Sequence, residues 1–170
     1  MPIEDTLGNP SDMIIHIVNC KGIMRGGIAK GISSRYPKVE EEYIRYCHQV
    51  REKALGTLQV CLVQKDPPLY IANLFAINIP NFNWYKQKEN RDRVVIYPAL
   101  GSALASLATY IRLLEIDTAQ FKIGVPMGMG TARGGADWTI VKEHVDYYLG
   151  NTQLNYYNIN DHHYGNYHDR

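Results

Sequence analysis

Two apolar, β-branched segments of this chain each lead through a glycine-rich turn directly into a helical segment. The first segment, residues 13–18, precedes a turn over residues 19–31, and the second, residues 121–125, precedes a turn over residues 126–138. Glycine lets backbone N–H groups approach an anion closely, and the N-terminus of the following helix adds a favourable dipole. The pair of turns therefore predicts an α/β fold and a ligand whose diphosphate is held between two facing loops.

The segments between and around these turns complete a mixed sheet with helices on both faces. Two β-like runs are separated by residues 65–68, whose Asp and Pro residues favour a hairpin between antiparallel neighbours. In chain order we expect strand 13–18, helix 27–35, a helix from Pro37, strands 58–63 and 70–77, helix 97–116, strand 121–125, helix 137–149 and strand 153–159. Ligands of such sheets bind at the carboxyl ends of the strands, which is where both glycine-rich turns fall.

Size and composition bound the class of protein. A chain of 170 residues that is 45% hydrophobic is expected to form one domain over residues 1–160, with a polar tail over residues 161–170. Its three cysteines are odd in number and form no C-x-x-C pair, which argues against a disulfide framework and a structural zinc site. No apolar leader or membrane-length apolar run occurs. We therefore expect a cytoplasmic monomer that binds neither a membrane nor a metal, and whose net charge of +1 gives no general attraction to nucleic acid.

The first glycine-rich turn has the chemistry to bind phosphate. Gly26 and Gly27 would present successive N–H groups, with Ile28 and Ala29 opening the helix beyond. Asn19, at the end of the strand, would either hydrogen-bond a ribose hydroxyl or hold the loop. A tight turn without a ligand is the structural alternative for these glycines. Neither the G-x-x-x-x-G-K-[ST] spacing nor a complete G-x-G-x-x-G fingerprint occurs, which disfavours P-loop proteins and nicotinamide-dinucleotide oxidoreductases.

Several side chains near the second turn and the strands have two interpretations each. Asp137 is either the N-cap of the helix that follows or a general acid/base. Trp138 and Phe75 are either core residues or aromatic rings beside a nucleotide. His16, inside an apolar strand, is expected to be a core histidine, and Arg133 is placed to neutralise phosphate charge.

Five motifs of the chain occur in the order and spacing of a known family. They are VNCKGIMRGGIA at 18–29, ANLF at 72–75, YPAL at 97–100, PMGMG at 126–130 and GGADW at 134–138. These motifs resemble those of the macro domains, which bind ADP-ribose. The resemblance covers about residues 3–159 and is nearest to the ADP-ribose 1''-phosphate phosphatase and the DNA or protein ADP-ribose glycohydrolase branches.

The resemblance implies a three-layer α/β/α fold with a mixed, mostly parallel six-stranded sheet and ADP-ribose in a cleft across the strand ends. Asn19 would lie near the distal ribose, residues 26–29 and 128–131 on the two sides of the diphosphate, and an acidic residue before the first strand, preferably Asp5, at the adenine. The implied ligand-binding residues are Asp5, Asn19, Lys21, Gly26, Gly27, Ile28, Ala29, Phe75, Gly128, Met129, Gly130, Thr131 and Ala132. No cofactor is implied.

The resemblance leaves two functions open. One is an ADP-ribose 1''-phosphate phosphatase or ADP-ribosyl hydrolase that acts at C1'' of the distal ribose, with Asn19 and Asp137 as the candidate catalytic residues. The other is a reader module that binds ADP-ribose without turnover. The resembled glycohydrolases carry a lysine soon after the third strand, where this chain has Ile77 and Asn78, and this departure favours the reader. Either function makes nucleic acid a partner only if it carries ADP-ribose.

Overall fold

Five strands and four α-helices follow one another in the part of the chain that the computed structural model describes, residues 11–24, 26–79, 83, 87, 94–131 and 134–158. They are β1 (Met13–Asn19), α1 (Gly27–Arg35), α2 (Pro37–Val50), β2 (Leu58–Lys65), β3 (Pro68–Ile77), α3 (Tyr97–Leu113), β4 (Lys122–Pro126), α4 (Trp138–Leu149) and β5 (Gln153–Tyr157). The predicted order is confirmed. The largest difference from the predicted bounds is at the end of α3, which was expected at residue 116. The helix ends at Leu113 because Glu115 adopts a left-handed conformation with φ of 55°.

The strands form one sheet in the order β2-β3-β1-β4-β5. β1 pairs in parallel with both β3 and β4, and β4 pairs in parallel with β5. β2 is antiparallel to β3, which confirms the predicted hairpin. The sheet is therefore mixed and mostly parallel as expected, but it has five strands within the described residues rather than six.

Two layers of helix cover the sheet because the side chains of each strand alternate between its faces. Ile14 and Val18 of β1 pack with Ile32 of α1 and Tyr43 of α2. Ile15, on the opposite face, belongs to the apolar cluster that includes the buried residues of α3 and α4. The three-layer α/β/α architecture is confirmed. None of the described helices is long and apolar enough to cross a membrane.

The strand order decides where the site lies. β1 is central and adjoins β4, so the two glycine-rich turns leave neighbouring parallel strands at the same edge of the sheet. The segment after β3 leaves from the same edge, next to the first turn, where Cys20 N–H donates to the Ile77 carbonyl at 3.1 Å. This edge is the one at which open α/β sheets bind their ligands.

Candidate functional site

The first turn brings exposed backbone to the N-terminus of α1. Gly26, the N-cap, is extended (φ −152°, ψ 157°), and Gly27 has φ of 56°. A Cβ atom built on Gly27 would have no heavy atom of the described residues within 4 Å, so among these residues the space in front of Gly27 is open. The first N–H groups of any helix have no acceptor within the helix, and the dipole is positive there. Gly27 thus presents accessible main chain where an anion is favoured.

Asn19 holds the first turn in shape. Its Oδ1 accepts the Lys21 N–H at 2.9 Å, and its Nδ2 donates to the Ile23 carbonyl at 2.9 Å. Asn19 is only 9% exposed. The sequence left two roles open for this amide, and the structure contains the contacts of one of them, which is to hold the loop. The second hydrogen of Nδ2 is not used by the bond to Ile23.

Tyr43 of α2 completes this arrangement and was not among the predicted site residues. Its hydroxyl lies 2.7 Å from the Asn19 carbonyl oxygen and 2.8 Å from Asn19 Oδ1, and it accepts the Ile23 N–H at 3.2 Å. Burial raises the pKa of Tyr43 well above its usual value, so the hydroxyl keeps its proton at neutral pH. The sequence pattern that could have indicated Tyr43 was its position on the inner face of α2, because a buried tyrosine hydroxyl requires a hydrogen-bond partner.

The two cysteines beside this turn are thiols at neutral pH. Cys20 follows Asn19 directly, and the Cys47 Sγ lies 4.0 Å from the Asn19 carbonyl oxygen. Burial raises the pKa of both Cys20 and Cys47 to about 11. Because the thiolate is the reactive form, neither side chain is suited to nucleophilic attack.

The second turn folds its backbone into two tight, successive turns. Met129 N–H donates to the Pro126 carbonyl at 3.1 Å, and Thr131 N–H donates to the Gly128 carbonyl at 3.0 Å. The Thr131 hydroxyl donates to the same carbonyl at 2.6 Å. Gly128 and Gly130 adopt φ of 77° and 80°, a conformation that favours glycine. The turn is therefore held by its own contacts in a conformation that its glycines make accessible.

Gly134 and Gly130 allow this turn to pack against the chain before α3. A Cβ atom on Gly134 would lie 2.4 Å from the Gly130 carbonyl oxygen and 2.6 Å from Val95 Cγ2. The N–H groups of Val94 and Val95 each lie 3.1 Å from the Gly134 carbonyl oxygen. Gly134 is buried and Gly135 is exposed, whereas Gly128 and Gly130 are both half-buried. A Cβ atom on Gly130 would lie 2.9 Å from Ile17 Cδ1, so Gly130 also packs tightly.

Comparison with known proteins places this arrangement in a fold family. No protein-family model matches the chain. The macrodomain of Mycobacterium tuberculosis DarG superposes with a TM-score of 0.69 at 21% identity, over 92% of this chain and 97% of that one. Thermosipho africanus DarTG in complex with ADP-ribose superposes with a TM-score of 0.65 at 17% identity, over 87% of this chain and 38% of that one.

The chain has the macrodomain fold. Among curated proteins, 64 residues are 35% identical to ADP-ribose 1''-phosphate phosphatase of Saccharomyces cerevisiae, a match that covers 38% of this chain and 36% of that protein. The chain is also 29% identical to DNA ADP-ribosyl glycohydrolase of Mycobacterium tuberculosis over 140 residues, a match that covers 82% of this chain and 35% of that protein. The chain thus spans little more than a third of the curated relatives that it matches.

In this protein the carboxylate of Asp137 caps α4. Its Oδ1 accepts the Thr139 N–H at 2.9 Å, and its own N–H donates to the Tyr97 hydroxyl at 3.0 Å. The predicted cap is confirmed. Asp137 is exposed, and Oδ2 takes no part in the cap, so this oxygen is available to a ligand or a water molecule.

The two aromatic residues with open interpretations are both packed against the hydrophobic core. Phe75 is 0% exposed, and its ring centroid lies 5.8 Å from that of Tyr43 and 5.1 Å from that of Tyr46. The structure therefore places Phe75 in the core instead of beside a ligand, because α2 covers this end of β3. Trp138 packs edge-on against Tyr156 at 5.9 Å and joins the core cluster.

The remaining predicted site residues fall into two groups. Lys21, Ile28 and Ala29 are half-buried and border the first turn. Asp5, Ala132, Arg133 and the tail over residues 161–170 lie outside the described residues. Among the residues that the structure describes, no group of three His, Cys, Asp or Glu side chains is placed to hold a metal ion.

A buried chain of polar side chains crosses the sheet beneath the site. Gln59 Nε2 donates to the Glu42 carbonyl at 3.1 Å, so Gln59 Oε1 faces Asn73 and accepts its Nδ2 at 3.0 Å. Asn73 Oδ1 then lies 2.5 Å from His16 Nε2, which must carry the proton. His16 Nδ1 has no hydrogen-bond partner among the residues that the structure describes. Burial lowers the pKa of His16 from 6.5 to about 4, which makes it the core histidine that its strand predicted.

Proposed function

We propose that this macrodomain binds ADP-ribose across the carboxyl ends of β1 and β4. The observation that carries the proposal is the adjacency of the two glycine-rich turns, one of which presents the unobstructed main chain of Gly27 at the start of α1. A helix N-terminus beside a glycine turn favours a phosphate group. The fold likeness to a structure described as a complex with ADP-ribose supports this choice of ligand.

The roles proposed for the residues follow from their positions. Residues 26–29 and 128–131 would contact opposite sides of the diphosphate, and Lys21 would neutralise part of its charge. Asn19 would offer the second hydrogen of Nδ2 to the distal ribose, and Asp5 would recognise the adenine amino group. These contacts require a turn of fixed shape, which Tyr43 maintains through its hydrogen bonds.

Titration calorimetry with ADP-ribose tests the binding site. Gly27→Glu would place a negative side chain in the open space in front of α1, and we expect it to abolish measurable heat. Gly27→Ala introduces the same backbone strain at positive φ without a charge or a long side chain, so weakened but measurable binding is expected. Ser34→Glu adds the same charge to an exposed position near the other end of α1 and should bind normally. Normal binding by Gly27→Glu would place the ligand elsewhere.

We further infer that the site hydrolyses an ADP-ribose derivative at C1'' of the distal ribose. Water would attack, the bond to the substituent at C1'' would break, and the substituent would leave with a proton. Asp137 Oδ2, which takes no part in the cap, would orient this water. The names of the curated relatives, a phosphatase and a glycohydrolase acting on ADP-ribose derivatives, support hydrolysis.

A reader module without turnover is the second candidate, and a specific observation favours it. Asn19 Oδ1 and one hydrogen of Nδ2 hold the loop, and Ile77 and Asn78 stand where the resembled glycohydrolases carry a lysine. Incubation with ADP-ribose 1''-phosphate, ADP-ribosylated protein and ADP-ribosylated DNA, followed by product analysis, separates the two. Asp137→Asn retains the helix cap, so it should leave the affinity for ADP-ribose unchanged. If the wild type forms product and this variant does not, the hydrolase is supported. Absence of product from all three substrates leaves the reader.

A further inference from the structure

A cavity of about 320 Å³ opens at the amino ends of the strands, at the opposite edge of the sheet from the proposed ADP-ribose site. Asp12, just before β1, and Tyr70 of β3 form one side. The connection from α3 to β4 forms the other side through Leu114, Ile116, Asp117 and Gln120. The cavity is thus built from segments that no proposed function of the macrodomain uses.

The walls of this cavity combine apolar and polar side chains, and part of the apolar surface is exposed. Ile116 is 40% exposed, and the neighbouring Leu113 is 75% exposed. Between Leu114 and Ile116, Glu115 adopts φ of 55°, a conformation that non-glycine residues rarely take, and both of its neighbours line the cavity. Uncovered apolar side chains around a concave surface are typical of a binding site.

Two carboxylates in the cavity wall have no cationic partner among the described residues. Asp12 Oδ2 accepts the Lys122 N–H at 2.8 Å, and Asp117 Oδ1 accepts the Ala119 N–H at 3.1 Å, which leaves one oxygen of each carboxylate outside these bonds. The ion pairs between described residues, Lys38–Glu42 on α2 and Lys142–Asp146 on α4, join other side chains. An occupant with positive charge would complement both carboxylates.

We propose that this cavity binds the side chain of an arginine presented by a partner protein. The guanidinium group is planar and delocalised, so it stacks on an aromatic ring such as that of Tyr70 while donating N–H groups to Asp12 and Asp117. Its three methylene groups match the apolar wall of Leu114 and Ile116. A neutral apolar occupant would desolvate the carboxylates without compensation, and an anion would be repelled. Lysine offers a compact, strongly hydrated charge that gains less from the ring.

Binding of a single side chain is tested by NMR titration of the isotope-labelled protein with N-acetylarginine amide at constant ionic strength. We expect saturable shifts of the Tyr70, Ile116 and Phe121 amides, with a Kd of about 1 mM for a ligand of this size. The citrulline analogue has the same shape without the charge, and it should bind about fivefold more weakly or worse. No shift at these amides, or an equal response to the citrulline or lysine analogue, would overturn the proposal.

Charge-removing variants locate the contact. Asp12→Asn and Asp117→Asn keep an oxygen that accepts the same backbone N–H, and each should weaken binding about fivefold. Glu143→Gln removes the same charge from an exposed position on α4 and should leave affinity unchanged. ADP-ribose titrations of the same samples should be unaffected, which confirms that the variants are folded. Normal arginine binding by both aspartate variants contradicts the assignment.

Discussion

Acidification should destabilise this protein through His16. Burial lowers the pKa of His16 from 6.5 to about 4, and its Nδ1 has no hydrogen-bond partner to accommodate a second proton. The unfolded chain binds that proton more readily than the folded protein does. Above pH 6.5 the imidazole is neutral in both states, so the full folding free energy is present, and it falls as the pH drops from 6.5 towards 4.

The size of the effect follows from the same two values. At about 1.4 kcal/mol per pKa unit, the complete loss below pH 4 is about 3 kcal/mol, of which about 2 kcal/mol has been lost at pH 5. This is a large share of the stability of a single domain. Equilibrium urea unfolding at pH 7.5 and pH 5 measures it, and an NMR titration of the His16 ring should give a midpoint near 4.

His16→Gln isolates this contribution, because glutamine also donates an N–H towards Asn73 but does not titrate. Between pH 7.5 and pH 5, the unfolding free energy of the wild type should fall by about 2 kcal/mol more than that of His16→Gln. His48→Gln removes an exposed histidine from α2 and should retain the wild-type pH dependence. If His16→Gln and the wild type lose the same free energy on acidification, the reasoning from burial is refuted.

Two further predictions concern the loops. Tyr43→Phe should lower the free energy of unfolding by about 1–2 kcal/mol and weaken ADP-ribose binding about fivefold. Tyr46→Phe loses a hydrogen bond to Thr57 and should lower the free energy of unfolding without weakening ADP-ribose binding. Urea unfolding and calorimetry measure the two effects, and equal ADP-ribose affinities of Tyr43→Phe and Tyr46→Phe would contradict a positioning role for Tyr43. Gly134→Ala forces a Cβ onto the Gly130 carbonyl oxygen and should cost about 1–3 kcal/mol in urea unfolding; wild-type stability would show that the turn relaxes freely.

Local patterns predicted most of the elements and one side-chain contact of the site. The capping of α4 by Asp137 was readable because a cap depends on residues that adjoin in sequence. The beginnings of α1 and α2 were readable for the same reason, from glycine and proline. Phe75 was not decided by its sequence position, because its burial depends on α2, whose residues are distant in the chain.

The amino-acid sequence by itself determined the order of strands and helices, the two glycine-rich turns and the resemblance to macro domains. Only the tertiary structure showed that β1 adjoins β4, so that both turns lie at the same edge of the sheet, and that the Tyr43 hydroxyl holds the first turn. It also decided which glycines pack and which remain accessible, and it joined His16 to Asn73 across 57 positions of the chain. Periodicity and turn chemistry act between near neighbours in sequence, whereas these contacts join residues that only the folded sheet and its helices bring together.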